Sequence, residues 1–181
     1  MEQINTLMVV LHQTAGRTSH TSGAVSTISV AQWWTKLTGF NESKRDQIEW
    51  YSGPFCSHDN GYKMCLRVDP DGIVDGVGTH LSAFLYLMKG PHDDELTWPL
   101  RGKFEVKLLN QISDCEHRSV TVAYNDLTSD SAAGRVAVGD KSSRGRGHPL
   151  FISHKDLCMV TPTCQYLKDD CVFLQVSKLQ T

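Results

Sequence analysis

Apolar and polar residues alternate in short runs along much of the chain. In the run 62–68 every second residue, from Tyr62 to Val68, is apolar, while Lys63, Cys65 and Arg67 occupy the other face. This period of two predicts a half-buried β-strand. The run 80–89 is rich in apolar residues on both faces, which favours a strand in the middle of a sheet. Further strands are predicted over 25–30, 32–37, 104–109, 120–124 and 171–176.

Turn-forming residues separate these runs, as in 69–72, 75–76 and 90–94. Residues 41–49 are polar, and 125–148 are rich in Gly and Ser, so both segments are predicted as loops with little strand content. One short helix is predicted over 153–159, because Ser153 and Asp156 have the spacing of a capping box. About seven or eight strands with almost no helix predict an all-β fold, an antiparallel β-sandwich.

The first 26 residues follow a different pattern. Ile4, Leu7 and Leu11 have heptad spacing within residues 1–12, and 13–26 form a linker rich in Ser, Thr and Gly. Fewer than two heptads do not hold a helix together in water. The residues alone are therefore consistent with a frayed terminus or with the end of a longer oligomerising coil. We divide the chain into a coiled-coil remnant (1–12), the linker (13–26) and a β-domain (27–181).

Composition narrows the class of protein. With 181 residues, 40% of them apolar, and a net charge of −2, the chain has the make-up of a globular domain and not of a disordered one. The longest apolar run covers only 83–88, which predicts no membrane insertion. A pI near 6.4 argues against a nucleic-acid partner. The absence of a signal-peptide pattern and of paired-cysteine spacing predicts a cytoplasmic protein with reduced thiols.

Motifs for catalysis or cofactor binding fail on spacing. The segment 134–142 resembles a phosphate-binding loop, but Asp140 stands where a lysine must follow Gly139. The histidines form no zinc-binding pair, and the acids near Gly72 lack the spacing of a calcium loop. We therefore predict no enzyme, no cofactor and no metal site, and a binding role instead.

A basic cluster is the one feature of composition that favours binding. Arg135, Lys141, Arg144 and Arg146 lie close together in the Gly- and Ser-rich segment. Composition alone favours a solvated loop. The alternative is a subsite for an acidic peptide side chain, because guanidinium groups form strong paired hydrogen bonds with carboxylates.

A series of short motifs then carries a family resemblance. In order they are YSGPF (51–55), GYKMCLR (61–67), GTHLS (78–82), MKGP (88–91), WP (98–99), PLFIS (149–153) and KDDxxF (168–173). Together, over about residues 30–177, they resemble the C-terminal TRAF domain of the TNF-receptor-associated factors, part of the MATH superfamily. The resemblance implies a sandwich of seven to eight antiparallel strands that binds a peptide along an edge strand. Residues 1–12 then resemble the end of the coiled coil that makes these domains homotrimers.

The resemblance also implies a function. It predicts an intracellular adaptor domain that binds short motifs in receptor or adaptor tails, such as Pro-x-Gln-x-Thr or Pro-x-Glu followed by an aromatic residue or an acid. Such a domain acts as a trimeric scaffold in TNF-receptor or Toll-like signalling. The alternative is a MATH module that recognises substrates for a ubiquitin-pathway enzyme. An extracellular MATH domain of a metalloprotease is more remote, because a paired-cysteine framework is missing.

Peptide-contacting residues follow from the resemblance position by position. The ligand arginine of the family falls on Arg67, its pocket phenylalanine on Phe84, and the aromatic before its serine loop on Tyr124. The serines that grip the glutamine or glutamate of the motif fall on Ser129 and Ser131. Further pocket positions fall on Arg146 and His148, before the PLF segment.

Two positions depart from the family pattern. The tyrosine and aspartate with which one branch hydrogen-bonds the end of the motif fall on Asp69 and Ile73. Asp69 is polar but anionic and stays a predicted peptide contact, whereas Ile73 cannot accept a hydrogen bond, so the motif of that branch cannot be copied over. Because Arg67 and Arg146 add positive charge, we expect an acidic motif to bind better than its amide counterpart. Arg67→Ala is expected to weaken peptide binding without harming the fold, because Arg67 lies on the polar face of its strand.

Overall fold

The computed structural model describes residues 32–125 and 132–180, which form two antiparallel β-sheets. The first sheet contains, in spatial order, β1 (Gln32–Thr38), β9 (Cys171–Leu179), β6 (Gly102–Leu108) and β7 (Arg118–Tyr124). The second contains β2 (Trp50–Tyr51), β4 (Lys63–Asp69), β5 (His80–Leu87) and β8 (Arg146–Ser153), with β3 (Phe55–Cys56) also paired to β4. The predicted all-β sandwich is confirmed, and the central position predicted for β5 is correct.

The core lies between the inner faces of the two sheets. Met64, Leu66 and Val68 of β4 are fully buried, as their alternation predicts. They pair in register with Leu87, Leu85 and Ala83 of β5, which are also fully buried. The first sheet contributes the fully buried residues Val106, Leu108, Val172 and Leu174. Burial of each large aliphatic side chain stabilises the fold by about 1.5–3 kcal/mol.

Two short helices and a 3-10 turn (Val74–Gly76) complete the described secondary structure. The predicted loop 41–49 is partly wrong, because α1 (Phe40–Arg45) forms there. The N-cap residue Gly39 has no side chain to cap this helix. The buried ring of Phe40 anchors its first turn, and Asp170 Oδ1, far along the chain, accepts a hydrogen bond from the Asn41 amide at 2.8 Å, so the local sequence carries little sign of the helix. The second helix, α2 (His154–Leu157), begins at the predicted cap, where Ser153 Oγ accepts a hydrogen bond from the Asp156 amide at 3.1 Å.

Strand β8 was not predicted from alternation, since the segment up to 148 was expected to be a loop. It contains Gly147 and Pro149, which strands normally disfavour. An edge strand tolerates a proline, because one side of the strand has no neighbour and the missing amide hydrogen costs no ladder hydrogen bond there. Gly147 is required by packing, since a Cβ there would lie 2.0 Å from the Ala83 carbonyl oxygen.

Several predictions concern segments outside the described residues. The coiled-coil remnant 1–12, the linker 13–26 and the strand predicted over 25–30 all precede residue 32, and the predicted domain boundaries there stay predictions. Within the described ranges, no helix has the length and apolar character needed to cross a membrane.

Candidate functional site

The edges of the two sheets meet along one side of the sandwich, where β7 faces β8. Arg146 Nη1 of β8 donates a hydrogen bond to the Ala123 carbonyl of β7 at 2.6 Å. His148 Nε2 lies 2.9 Å from the Thr121 carbonyl oxygen. We call these four residues the β7–β8 seam. Two side chains of β8 therefore contact carbonyl groups of β7 and join the edges of the two sheets.

Tyr124 lies beneath this seam, at the end of β7. Its ring is only 1% exposed and meets Phe104 edge-to-face, with 5.8 Å between ring centroids. Its hydroxyl donates to the Leu85 carbonyl at 3.4 Å. The Arg146 guanidinium carbon lies 5.6 Å from the ring centroid, which allows a cation–π contact. The structure thus places Tyr124 in the core, covered by Arg146.

A row of three residues crosses the outer face of the second sheet. Arg67 of β4 is opposite Phe84 of β5, which in turn is opposite Gly147 of the edge strand β8. Phe84 is half-buried. Because Gly147 has no side chain, nothing on β8 in this row stands between the sheet edge and Phe84. A side chain arriving from the edge can therefore pass over Gly147 and Phe84 towards Arg67.

Arg67 does not stand alone at the end of this row. Its Nε lies 3.0 and 2.9 Å from the two carboxylate oxygens of Asp69, and its Nη2 lies 2.5 Å from Asp69 Oδ1. The Arg67 side chain is 21% exposed and that of Asp69 only 7%. The hydrogen bonds to Asp69 raise the pKa of the Arg67 guanidinium above its usual value. The two residues form a fixed, largely buried ion pair.

Two tyrosines and a lysine extend this face, and sequence reasoning missed the tyrosines. Tyr51 of β2 pairs with Arg67 and meets Tyr86 edge-to-face at 6.1 Å between centroids. Lys141 Nζ lies 3.5 Å from the Tyr51 centroid and 5.7 Å from that of Tyr86. Tyr51 could have been found from the sequence, because it stands inside the YSGPF motif.

The predicted basic cluster does not form one subsite. Arg135 Nη2 lies 2.6 Å from Asp94 Oδ1, in a pair that is largely exposed. Arg146 belongs to the β7–β8 seam, and Lys141 covers the tyrosines. These residues are close in sequence but not in space. Lys141 forms a β-bridge with Met88, whereas Arg146 begins β8, so the two side chains lie on different faces.

A pocket of about 210 Å³ adjoins the Arg67–Asp69 pair. Ile73, which departs from the family pattern, lies in its wall. Its amide donates to Ser82 Oγ at 3.0 Å, and the buried Ser82 hydroxyl donates to the Pro149 carbonyl at 2.6 Å. The pocket wall is thereby tied to the edge strand. Its lining comprises Gln47, Ile48, Glu49, Arg67, Asp69, Pro70, Asp71, Gly72, Ile73 and Val77.

The predicted contact residues therefore fall into three groups. Arg67, Asp69 and Phe84 share the outer face of the second sheet, while Arg146 and His148 line the seam above Tyr124. Ser129 and Ser131 lie outside the described residues.

Comparisons with known proteins give a consistent result. A family model described as TRAF/meprin, MATH domain, matches residues 47–175. TNF receptor-associated factor 5 of Mus musculus is 32% identical over 147 residues, which cover 78% of this chain and 25% of the relative. TNF receptor-associated factor 2 of Homo sapiens is 36% identical over 126 residues, covering 69% and 23%. The chain thus spans about a quarter of the length of these curated relatives.

A solved structure extends the comparison to three dimensions. TRAF5 of Notothenia coriiceps superposes with a TM-score of 0.75 at 26% sequence identity. The match covers 83% of this chain and 73% of that one.

Proposed function

The chain belongs to the TRAF/meprin MATH-domain family, and from that premise we propose that it is a cytoplasmic adaptor domain that binds short linear motifs in receptor or adaptor tails. The family resemblance found in the sequence is thereby confirmed. The observation that carries the proposed function is the row Arg67, Phe84 and Gly147, which leads from the edge strand β8 to a charged pair.

The edge strand supplies the docking mode. An extended peptide would lie along β8 and add a strand to the second sheet, with main-chain hydrogen bonds giving affinity and side-chain pockets giving specificity. One peptide side chain would cross Gly147 onto the face of Phe84. Arg146 and His148 would flank the peptide from the seam. Ser129 and Ser131, in the segment that follows β7, remain proposed contacts.

The names of the relatives suggest the partners. They are TNF receptor-associated factors, and we infer that tails of TNF receptors, or of Toll-like pathway components, are the partners of this domain. The role is one of binding, without catalysis, cofactor or metal. As in the sequence-based expectation, we propose that the domain acts as a homotrimeric scaffold in this signalling.

Phe84→Ala should weaken peptide binding by about tenfold or more, because a phenylalanine side chain contributes about 1.5–3 kcal/mol through apolar contact. Calorimetry with Pro-x-Gln-x-Thr and Pro-x-Glu peptides measures the affinity. Phe173→Ala is the matched control: Phe173 is half-buried on β9, a central strand of the other sheet, where Lys36 Nζ lies 5.5 Å from its ring.

The control should change affinity less than twofold, because the outer face of the first sheet lies away from the proposed peptide path. Melting curves of both variants establish that the fold persists. If both variants bind the peptides as tightly as the wild type does, the peptide does not cross Phe84 and the proposed site is wrong.

A trimer is expected to be weak and dependent on concentration. Ile4, Leu7 and Leu11 provide fewer than two heptads, so the coil needs help from contacts between the β-domains. Sedimentation velocity across a hundredfold dilution should show the trimer dissociating. A monomer at every concentration would contradict the expectation for this chain. Leu7→Asp is expected to abolish the trimer without lowering the melting temperature of the β-domain.

A further inference from the structure

We propose that Arg67 and Asp69 together select a neutral amide side chain, glutamine or asparagine, at the peptide position that reaches them, and discriminate against a carboxylate there. The inference rests on the proposed function and specifies the chemistry of that binding site. It replaces the expectation from sequence that an acidic motif binds better than its amide counterpart.

The geometry of the pair is the first step. Residues two apart on a strand point to the same face, so Arg67 and Asp69 are neighbours on the outer face of β4. Both Asp69 oxygens lie within 3.0 Å of Arg67 Nε, and Oδ1 also contacts Nη2. Asp69 thus occupies the Nε–Nη2 edge of the guanidinium, one of the two edges that can form paired hydrogen bonds with a carboxylate.

Charge is the second step. A peptide carboxylate at Arg67 would share one guanidinium with the carboxylate of Asp69, whose side chain is only 7% exposed. Two carboxylates held around one cation repel each other, and burial weakens the screening of that repulsion. Glu49 and Asp71 line the adjoining pocket and add negative charge, whereas Lys141 is held over the tyrosines. The site is therefore less favourable for a peptide carboxylate than the presence of Arg67 alone suggests.

Hydrogen-bond complementarity is the third step. An amide side chain carries one acceptor oxygen and a donor NH₂ group, whereas an ionised carboxylate only accepts. Arg67 Nη1 is only loosely engaged, because Tyr51 Oη lies 3.5 Å away, at the limit of a hydrogen bond. The amide oxygen can accept from Nη1 while its NH₂ group donates to Asp69. The pair thus presents a donor and an acceptor side by side.

The experiment compares peptides that differ by one amide. Each position of a Pro-x-Gln-x-Thr peptide is made with Gln and with Glu and tested against the wild type, Asp69→Asn and Asp71→Asn. We expect one position at which the wild type binds Gln about tenfold more tightly than Glu, equivalent to about 1.4 kcal/mol. Asp69→Asn should remove this preference, because it frees the Arg67 charge for the peptide acid.

Asp71→Asn is the matched control, since it removes the same charge two residues away while Arg67 keeps its partner. Asp71 accepts a hydrogen bond from Gln47 Nε2 at 3.2 Å. This variant should retain the preference for Gln. If Asp69→Asn melts below the assay temperature, Asp69→Ser replaces it, and the wild-type ratio of Gln to Glu binding is decisive by itself.

The outcomes separate the inference from the proposed function. If, at every position, the Glu peptide binds the wild type as tightly as the Gln peptide or more tightly, the amide selection is wrong and the proposed peptide binding stands. An unchanged Gln preference in a folded Asp69 variant overturns it as well. A folded wild type that binds none of the peptides overturns the proposed function, and the inference with it.

Discussion

Tyr124→Ala is expected to lower the free energy of unfolding by about 3–5 kcal/mol, the range for truncating a large aromatic side chain in a core. The Tyr124 ring is 1% exposed and packs edge-to-face on Phe104. The cavity left by its removal lies between the two sheets and opens beneath Arg146. Urea denaturation monitored by circular dichroism measures the change.

Tyr124→Phe is the matched control for this prediction. It keeps the ring and removes only the hydroxyl, whose hydrogen bond to the Leu85 carbonyl is long at 3.4 Å. We expect a loss of about 0.5–1.5 kcal/mol at most. If Tyr124→Ala is as stable as the wild type but no longer binds peptide, Tyr124 is a ligand contact and its place in the core is wrong. If both stability and binding fall, the loss of binding follows from the loss of folded structure.

The central strands could be predicted because burial on one face leaves a strong alternation in the sequence. In β4 the core positions Met64, Leu66 and Val68 occur at every second residue and are all fully buried. Strand β5 is covered on both sides by neighbouring strands, and its apolar run predicted that central place. The alternation of apolar residues reflects burial, so it identifies the strands that bury the most side chains.

The elements that were missed lack this signal. Strands β2 and β3 have two residues each, which is too short for any period to be visible. Strand β8 combines Gly147 with Pro149, and its identity as a strand depends on pairing with β5, more than sixty residues earlier in the chain. Helix α1 depends on the buried ring of Phe40 and on the distant Asp170, whose carboxylate accepts a hydrogen bond from the Asn41 amide. Tertiary contacts, and not local preference, determine these elements.

The candidate site was predictable in part. Arg67 and Phe84 were assigned by resemblance, and register places them side by side. The Arg67–Asp69 pair could also have been predicted, because residues two apart on a strand share a face. It was missed because residue 69 was interpreted as the start of a turn. The contacts of Arg146 and His148 with β7 could not be predicted, because they join strands of different sheets.

Arg67→Ala is expected to lower the free energy of unfolding by about 3 kcal/mol, the lower end of the range for breaking a buried ion pair, because Arg67 keeps some contact with water. The substitution leaves the Asp69 carboxylate, with a side chain only 7% exposed, without its cation. This outcome replaces the expectation that Arg67→Ala leaves the fold unharmed. Urea denaturation at neutral pH measures it.

Arg45→Ala is the control, because Arg45 forms an ion pair of similar geometry with Asp46 at 2.8 Å, but on the surface, with side chains 69% and 42% exposed. Water and salt screen such a pair, so the substitution should leave the urea midpoint nearly unchanged. If Arg67→Ala is equally harmless, the Arg67–Asp69 pair is not buried in solution, and the amide selection loses its basis.

The double variant Arg67→Ala/Asp69→Asn separates the loss of a charge from the loss of packing. If the orphaned carboxylate causes the damage, Asp69→Asn should restore a large part of the stability lost in Arg67→Ala, because a neutral amide costs less to bury than a charge. A double variant no more stable than Arg67→Ala would instead assign the loss to the aliphatic stem of Arg67 packed beside Tyr51, whose ring centroid lies 5.9 Å from the guanidinium carbon. In the first case any loss of peptide affinity in Arg67→Ala must be measured against this double variant, in which the fold is repaired and the cation is still missing.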